Sequence, residues 1–460
     1  MNTNYEDFLK SKQHSTINSG FEPINIPNHL FDFQKFIVER AIRKGRYAIF
    51  ADCGLGKTPM ILCIADNVIK KENKAFLIVT PLAVAKQMQR EADKFGYEMK
   101  RSKEGETFGP VIHVTNYERL HHFDPNDFAG VACDESSAIK AMTGKTRKLV
   151  TAFFRKVKYR FLCTATPAPN DYIELGTSSE ALGHLGQRDM LNVFFKSTTN
   201  LSHVFHKQGD FWNKQKWMFK PHAEKRFWQW VCSWGMAIRK PSDIGFSDER
   251  FALPCLNVNQ HVVKSENTFG GELFSRVAVT LQEQRQERRN SMDERCAKVA
   301  ELVNHDKPAI VWGHLNDECD QLEKSIPGSV QVKGSDKDDH KEDTFEAFSN
   351  GQARVLITKP SIAGFGMNWQ HCHHMTFFPS HSFEQYYQGV RRCWRFGQEH
   401  TVNVDIVTTE GEAGVTGNLK RKTDQASLMM DALVAQMNNP IYQNKISKLH
   451  TENLETPSWL

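Results

Sequence analysis

The stretch ADCGLGKT, from Ala51 to Thr58, decides the fold of this chain. It follows the apolar run YAIFA and precedes MILCIADNVI, whose apolar residues have helical spacing. A strand, a glycine-rich turn ending in Lys-Thr and a helix form a loop that cradles phosphate groups. Gly54 and Gly56 let backbone N–H groups approach phosphate oxygens at a helix N-terminus, which attracts anions. Lys57 is suited to neutralise the β- and γ-phosphates of a nucleotide, and Thr58 to hold Mg²⁺. The first glycine of the usual pattern is replaced by alanine, so the match is incomplete by one position.

Two acidic residues end a later strand candidate, GVACD, in the segment DESS. Asp134 is suited to ligate Mg²⁺, and Glu135 to orient and deprotonate an attacking water. Adjacent carboxylates at a buried strand end are costly unless a cation or solvent is near. An ordinary solvated turn is the alternative, and the position of DESS after a phosphate-loop strand makes it less favoured. Thr164 and Thr166 of TATPAPN follow another strand, and their hydroxyls are suited to relay the position of the carboxylates.

The second half of the chain carries a paired-arginine segment, QYYQGVRRCWRFGQ. Arg392 and Arg395 are three residues apart, which places them on one helical face. Two guanidiniums there could reach a γ-phosphate from a second lobe, as arginine fingers do. A surface helix with salt bridges is the alternative, which the flanking glutamines, among them Gln388, make less favoured. The glycine-rich turn SIAGFGMNWQ, with Gly366, is suited to contact the nucleotide or a nucleic-acid phosphate. Together with the phosphate loop, this segment predicts one ATPase site divided between two lobes.

Composition limits the classes of protein to consider. The chain has 460 residues, 40% of them hydrophobic and 25% charged, as in a globular protein with two or more cores. We expect a protein without a secretory signal or a membrane span, because the N-terminus is polar and no long uncharged apolar run occurs. The ten cysteines are scattered without a CxxC pair, which favours a reducing cytoplasm, the host cytoplasm if the chain is phage-encoded.

Apolar runs alternate with amphipathic stretches, the pattern of parallel sheets in α/β proteins. The alternation stops between about residues 176 and 250. These patterns predict two doubly wound lobes with a mostly helical insertion. The predicted divisions are a tail (1–27), lobe one (28–175), a Trp-rich basic insertion and linker (176–250), lobe two (251–412), and a C-terminal helix and tail (413–460). The predicted strands are 47–51, 75–80, 111–115, 130–134 and 160–166 in lobe one, and 309–313, 354–358, 373–378 and 402–407 in lobe two; one helix is predicted over 426–437.

The insertion combines basic and aromatic residues. Residues 201–241 hold eight Lys or Arg against two acidic residues, a local net charge of +6, beside five of the nine tryptophans. Such a mixture suits a polyanion with stackable bases. A helical subdomain with a tryptophan core is the interpretation we favour for the tryptophans, while both interpretations stay open for the lysines. The segment HCHH (371–374) does not predict a metal site, because alternate strand residues point to opposite faces.

The order of these blocks resembles a superfamily 2 helicase, in particular the Swi/Snf-like branch of DNA translocases. GLGKT, DESSAIK and FLCTATPAPN resemble motifs I to III of the family, and LIVTPLAVAKQMQREADKF and VTNYERL resemble its first nucleic-acid-contacting blocks. KPAIVWGHLNDECDQLE, SIAGFGMNWQ and QGVRRCWRFGQ resemble motifs IV to VI, and FDFQ resembles the adenine-reading glutamine motif. The likeness covers about residues 28 to 410. Ser137 departs from the histidine of the DExH box, and Met88 from a usual tryptophan.

The resemblance implies two RecA-like lobes that bind ATP and Mg²⁺ and move on DNA. It implies that Gln34 reads adenine and that Thr80, Thr115 and Ser361 contact the nucleic-acid backbone. It also implies that Gln388 couples the ATP site to the nucleic acid. Duplex or branched DNA is the expected partner, and a separate protein for targeting is possible. An RNA-dependent helicase on the same scaffold is one alternative. A nucleotide-gated binding protein with little hydrolysis is another, disfavoured by Glu135 and the two arginines.

Overall fold

The computed structural model describes residues 19–140, 144–168, 171–197, 217–264, 288–364, 367–378, 380, 382–409 and 412–437. Gly366, Lys207, Trp212, Lys214 and Lys216 lie outside the described residues. The chain forms two compact units, one comprising residues up to Ser247 and from Ser427 onward, the other Asp248–Ala426.

The first unit is built on one parallel sheet of seven strands, in the order β3-β4-β2-β5-β6-β1-β9. All six pairings between neighbouring strands are parallel. Parallel strands need helical crossovers, which the amphipathic stretches between the apolar runs supply. The strands are β1 (Arg46–Ala51), β2 (Ala75–Thr80), β3 (Met99–Arg101), β4 (Ile112–Asn116), β5 (Phe128–Asp134), β6 (Tyr159–Cys163) and β9 (Gly235–Ile238).

Helices cover this sheet. They are α1 (Asp32–Lys44), α2 (Lys57–Glu72), α3 (Leu82–Phe95), α4 (Lys145–Lys156), α5 (Leu175–Leu182), α6 (Gln187–Phe194) and α7 (Ala223–Trp234). The helix after the phosphate loop, α2, buries the continuous run from Met60 to Ala65. Each fully buried aliphatic side chain of this kind stabilises the fold by about 1.5–3 kcal/mol, so α2 is anchored mainly by its packing.

The described part of the segment predicted as a mostly helical insertion contains α5, α6 and α7, which make up about half of it. Between the last two helices, β7 (Phe195–Ser197) pairs antiparallel with β8 (Trp217–Phe219). Trp228, Trp230 and Trp234 are each at most 4% exposed and pack within a cluster of aromatic rings. The favoured interpretation, a tryptophan core, is therefore confirmed for these three residues.

The boundary of this insertion needs a correction. β9 lies beside β1 in the first sheet, so the segment before residue 250 contributes a strand to lobe one. In addition, the Trp234 ring packs edge-on against Phe50 of β1 at 6.0 Å between ring centroids. β9 could not be recognised from the sequence, because its four residues follow directly on the apolar end of α7.

The second unit contains a parallel sheet of six strands, in the order β10-β15-β14-β11-β13-β12. Its strands are β10 (Leu256–Val263), β11 (Ala309–Trp312), β12 (Ser329–Gln331), β13 (Val355–Thr358), β14 (His374–Phe377) and β15 (Val402–Thr409). Its helices are α8 (Met292–Leu302), α9 (Asn316–Ser325), α10 (Asp338–Ser349), α11 (Pro360–Ala363) and α12 (Phe383–Val390), followed by α13 (Ala413–Met437), whose residues from Ser427 onward belong to the first unit. The two faces of the sheet carry separate apolar cores, one around Trp312 and Trp369 and the other around Val311 and Val407.

The predicted fold class, two parallel α/β lobes, is confirmed. Within the described parts of the chain, no helix combines the length and hydropathy needed to cross a membrane.

Candidate functional site

Four neighbouring strands of the first sheet bring the sequence motifs to one edge. In the order β2-β5-β6-β1, each strand ends at a motif: Thr80, Asp134, the Thr164 turn and the phosphate loop. Because the strands are parallel, all four carboxyl ends lie on the same side of the sheet, where α/β proteins bind their ligands. The topology therefore collects residues that are more than 100 positions apart into one candidate site.

The phosphate loop has the backbone that its glycines predict. Gly54 and Gly56 have φ of 88° and 75°, in the left-handed region that favours glycine. A Cβ atom at Gly56 would also overlap the Nε2 atom of Gln34. Lys57 is the first residue of α2, and its Nζ donates to the backbone oxygens of Ala51 at 3.0 Å and Asp52 at 3.4 Å. Its ammonium group thus lies over the loop and is held by carbonyl dipoles.

Gln34 joins the start of α1 to the phosphate loop. Its side chain is 4% exposed, accepts from the backbone N–H of Phe31 at 3.0 Å and donates to the backbone oxygen of Leu55 at 3.0 Å. An amide has two N–H donors and two oxygen lone pairs. One donor and one acceptor are used by these bonds, so one of each is left for a ligand.

Asn67 of α2 fixes the segment that precedes α1. This fully buried side chain accepts from the backbone N–H groups of Ile24 (2.8 Å) and Asn25 (3.0 Å) and donates to the oxygen of Asn25 (2.7 Å). The motifs gave no signal for this residue. A buried polar residue in the otherwise apolar stretch MILCIADNVI is the feature that could have revealed it.

The two carboxylates lie at the buried end of β5. Asp134 and Glu135 are 5% and 6% exposed. Burial and the neighbouring Glu135 raise the pKa of Asp134 to about 7, although Lys57 acts in the opposite direction. Glu135 has a φ of 51°, which is unusual for a residue with a side chain and is seen most often at functional sites. The charged form of Asp134 is thus disfavoured in this structure, and carboxylate oxygens are suitable ligands for Mg²⁺.

Two further residues position Asp134. The Tyr117 hydroxyl donates to the backbone oxygen of Asp134 at 2.7 Å, and the Thr80 hydroxyl donates to its Oδ2 at 3.4 Å. The resemblance implied that Thr80 and Thr115 contact nucleic acid, and this requires a correction. Their side chains are 0% and 3% exposed. In this structure neither hydroxyl is available to nucleic acid, and Thr80 instead supports the carboxylate.

The turn after β6 lies between β5 and the phosphate-loop strand. Thr164 donates its backbone N–H to Ile49 of β1 at 3.2 Å, and its hydroxyl accepts from the N–H of Thr166 at 3.1 Å. Both residues are buried. The turn is therefore tied to β1 on one side and adjoins the carboxylate strand on the other, as a relay would require. Thr58 is half-buried at the start of α2.

In the second unit, the arginine segment is bonded to the glycine-rich turn. Arg392 is 2% exposed and donates to the backbone oxygens of Gln388 (2.9 Å) and Met367 (3.2 Å) and to the Gln388 side chain (3.3 Å). Arg395 is more exposed, and its Nη1 lies 3.5 Å from the same Met367 oxygen. The two guanidiniums are thus brought together by the Met367 carbonyl and not on one helical face as predicted, because α12 ends at Val390, before both arginines. Gln388 is fully buried, and both its backbone oxygen and its Oε1 accept from Arg392.

Gln398 also joins these two segments, a role that the sequence did not reveal. Its Nε2 donates to the backbone oxygens of Gln370 (2.9 Å) and Cys372 (3.0 Å), and Gln370 donates to the oxygen of Phe396 (2.9 Å). The flanking glutamine that favoured a functional interpretation is therefore a structural brace. Ser361 is exposed on α11, where it is accessible to a ligand.

His374 of the HCHH segment lies in a hydrogen-bonded cluster elsewhere in the second sheet. Its Nε2 is 2.8 Å from Oδ2 of Asp405, whose Oδ1 is 2.8 Å from His261 and accepts from Asn259 at 3.1 Å. Burial would raise the pKa of Asp405, but these bonds outweigh it and hold that pKa well below its usual range.

The fold and the site together define a class of protein, a phosphate-loop protein with two parallel α/β lobes. Residues 26–169 match the family described as "Type III restriction enzyme, res subunit". The chain is also 29% identical over 180 residues to the mouse "DNA annealing helicase and endonuclease ZRANB3". That match covers 35% of this chain and 17% of the relative, so the chain spans less than a fifth of the curated protein it matches.

A solved structure described as "Sulfolobus solfataricus SWI2/SNF2 ATPase core in complex with dsDNA" matches 90% of this chain and 95% of its own, with 16% identity and a TM-score of 0.41. The family match and the mouse relative agree with the order of the motifs. The mouse relative is described as a helicase, as the resemblance of the motifs to superfamily 2 helicases of the Swi/Snf-like branch implied for this chain.

Proposed function

We propose that this chain is an ATPase that couples hydrolysis of ATP to movement on DNA. The observation that carries the proposal is the meeting of Lys57, Asp134 and Glu135 at one edge of the first sheet, beside the Thr164 turn. A phosphate-binding loop next to two buried carboxylates fits the nucleotide and the divalent cation that such a reaction requires.

Each residue has a distinct role in this proposal. Backbone N–H groups at Gly54 and Gly56 hold the phosphates, and Lys57 moves from the carbonyls of Ala51 and Asp52 onto them. Thr58 and Asp134 would hold Mg²⁺, which neutralises charge on the phosphates when bound. Glu135 orients the attacking water and accepts its proton.

The second unit supplies the arginines. In this proposal Arg392 and Arg395 stabilise the charge that develops on the transferred phosphoryl group. Gln388 and the Met367 carbonyl hold these side chains in place. Gly366, which lies outside the described residues, is proposed to contact the nucleotide or the nucleic acid. Thr164 and Thr166 link the carboxylates to the phosphate-loop strand.

DNA is the proposed nucleic acid, because the mouse relative is described as a DNA annealing helicase and the motif wording resembles the Swi/Snf-like branch. Ser361 is placed to contact the phosphate backbone, which carries no base information, so tracking would be independent of sequence. All ten cysteines are free thiols, nine of them buried, which suits the reducing cytoplasm that we propose as the setting. An RNA-dependent helicase is the second candidate, because its site would use the same residues.

The test measures ATP turnover without nucleic acid and with duplex DNA, single-stranded DNA or RNA. We expect turnover to rise most with DNA, to be lost with Lys57→Ala, and to be lost with Glu135→Gln although ATP stays bound. Lys70→Ala is the matched control for the first variant, because Lys70 lies on the same helix and pairs only with Asp66 among the described side chains. Glu118→Gln, at an exposed glutamate, is the control for the second. Wild-type turnover in Glu135→Gln would overturn the assignment of the base, and greater stimulation by RNA would favour the second candidate.

A further inference from the structure

One face of the helix α4 (Lys145–Lys156) is covered with cationic side chains. Its sequence, KTRKLVTAFFRK, contains five Lys or Arg residues and no acidic residue. Successive residues of an α-helix are rotated by about 100°, so its buried and exposed positions form two separate arcs. The buried residues are Val150, Thr151, Phe153 and Phe154. The exposed residues, which form the cationic face, are Lys145, Lys148, Ala152, Arg155 and Lys156.

The fold neutralises only part of this charge. Glu180 of α5 pairs with Arg147 at 2.5 Å and with Arg155 at 3.0 Å, and the Arg155 side chain is still 61% exposed. The three lysines of the cationic face form no ion pair with any residue that the structure describes. A turn that packs against α4 carries two exposed carboxylates, Asp124 and Asp127. Three carboxylates against five cations leave this side of the first unit positively charged.

The first turn of α4 opposes the dipole of its own helix. Gly144 precedes the helix without a side-chain cap, and the first turn contains Lys145, Arg147 and Lys148 but no acidic residue. A helix N-terminus carries partial positive charge, so cations there destabilise the helix. Lys145 and Lys148 are also three residues apart, where like charges repel each other. Residues that lower the stability of their own helix are typical of functional surfaces.

The side chains of the cationic face suit a nucleic-acid backbone better than a protein surface. Protein interfaces are depleted in lysine and enriched in aromatic residues and methionine, and the cationic face contains neither of the enriched types. Lysine and arginine are the usual contacts of backbone phosphates. The row from Lys145 to Lys156 is roughly 16 Å long. Duplex DNA carries one charge about every 1.7 Å of its axis, so several phosphates come within reach of the row.

The helix α4 also adjoins the segments that hold the two carboxylates of the candidate site. The turn Ser136–Ile139, which directly follows Glu135, packs against α4. The turn Tyr117–His122 does so as well, and its Tyr117 hydroxyl donates to the backbone oxygen of Asp134. A ligand on the cationic face would therefore lie beside the segments that position Asp134 and Glu135.

We propose that Lys145, Lys148, Arg155 and Lys156 bind the phosphate backbone of duplex DNA. This inference rests on the proposed function, to which it adds a contact surface in the first unit. Ala152, in the middle of the row, has a short side chain that does not hold the backbone away from the lysines. Phosphate contacts carry no base information, so binding at this face is independent of DNA sequence.

The experiment measures the affinity of the full chain for a fluorescently labelled duplex DNA at a series of salt concentrations, without nucleotide. The test variant carries Lys145→Gln, Lys148→Gln and Lys156→Gln. Each lost phosphate contact should lower the slope of log affinity against log salt by about 0.9, and the three together by about 2.7. Lys148→Gln alone should lower it by about 0.9. The melting temperature of the triple variant should equal or exceed that of the wild type, because the substitutions relieve the first turn of α4.

The matched control carries Lys70→Gln, Lys71→Gln and Lys74→Gln, which remove the same charge from exposed lysines at the end of α2 and just after it. This control should keep the wild-type slope. An unchanged slope in the α4 triple variant, with a wild type that binds DNA, overturns this inference and leaves the proposed function standing. A wild type that binds no DNA overturns both. Polyglutamate is tested in parallel: if the triple variant loses affinity for polyglutamate alone, the face binds an acidic polypeptide and the inference is wrong.

Discussion

Gln34 is expected to select ATP over GTP through one N–H and one oxygen lone pair of its side-chain amide that no described hydrogen bond uses. Removing the side chain tests this expectation. Its amide oxygen already accepts from Phe31, and its amide nitrogen already donates to Leu55. The remaining N–H matches N7 of adenine, and the remaining lone pair matches the N6 amino group. Guanine offers acceptors at both positions, so it would lose one bond and face a repulsion.

The magnitude follows from this pairing. A bidentate contact of this type discriminates between bases by about 1–3 kcal/mol, which corresponds to roughly 5- to 150-fold in the ratio of kcat/KM for ATP and GTP. Gln34→Ala should bring that ratio close to one. It also leaves the N–H of Phe31 and the oxygen of Leu55 without a partner, which costs about 1–3 kcal/mol for each group that stays buried. The melting temperature should fall by about 2–4 °C per kcal/mol for a unit of this size.

The assay compares steady-state ATP and GTP turnover with saturating duplex DNA. Gln87→Ala is the control, because Gln87 is a glutamine of the same unit whose described side-chain bond is to Glu91. The control should leave both the base preference and the melting temperature unchanged. A folded Gln34→Ala protein that keeps its preference for ATP within about twofold would refute the reasoning, and Gln34 would then be only a structural link to the phosphate loop.

Four further outcomes are expected. Arg395→Ala should lower kcat by about 10³- to 10⁵-fold with the fold intact. Arg392→Ala should lower kcat and also the melting temperature, because Arg392 donates to the Met367 carbonyl. If both variants keep more than about a tenth of the rate, the arginine assignment is refuted. Trp228→Ala should destabilise the first unit by about 3–5 kcal/mol in denaturant unfolding, and a loss of DNA affinity without a loss of stability would contradict the core assignment. The depressed pKa of Asp405 means that its ionised carboxylate stabilises the folded state fully above the ordinary carboxyl pKa of about 3.9, and that this stabilisation is lost as the pH falls below that value. Between pH 5 and pH 3, the wild type should therefore lose stability more steeply than Asp405→Asn. The raised pKa of Asp134 means that its ionised carboxylate destabilises the folded state at a pH above about 7. Asp134→Asn should therefore raise the melting temperature at pH 8 without Mg²⁺. A lower melting temperature would show that the carboxylate is already well neutralised.

The central strands could be predicted because they are continuous apolar runs, which buried parallel strands require. AFLIVT was predicted with its exact bounds as β2, and the other predicted strands differ at their ends by a few residues. RFLCTAT was predicted as far as Thr166, but the strand ends at Cys163. The hydroxyl of Thr164 accepts a backbone N–H there and forms a turn.

The strands that were missed lie at sheet edges. β10 has no continuous apolar run, and its residues Asn257 and Asn259 pair with Asn403 and Asp405 of β15 through side-chain bonds. β3 and β12 have three residues each, too few to show a period. The C-terminal helix was predicted from residue 426 but begins at Ala413. Its first half was missed because two glycines and a basic run obscure the apolar spacing there.

The candidate site was predictable at the level of motifs and less so at the level of contacts. The residue types of Lys57, Asp134 and Glu135 follow from the chemistry that they would perform, and chemistry restricts sequence strongly. The supporting residues act through hydrogen bonds to the backbone at distant positions: Tyr117 donates to Asp134, and Asn67 bonds to Ile24 and Asn25. Their partners became identifiable only when the strand order was known.

The position of Lys57 relative to Asp134 explains how the site is prepared for a dication. The ammonium group donates to the carbonyls of Ala51 and Asp52, while the Asp134 carboxylate accepts from the Thr80 hydroxyl at 3.4 Å and from the backbone N–H of Glu135. Had Lys57 formed a direct ion pair with Asp134, the pair would neutralise itself, and breaking it would cost more than the pair contributes. Neutral carbonyl partners release Lys57 at a lower cost, and Asp134 stays available to bind Mg²⁺. Stability is thereby given up at the carboxylates, which is the usual compromise between stability and function at a catalytic centre.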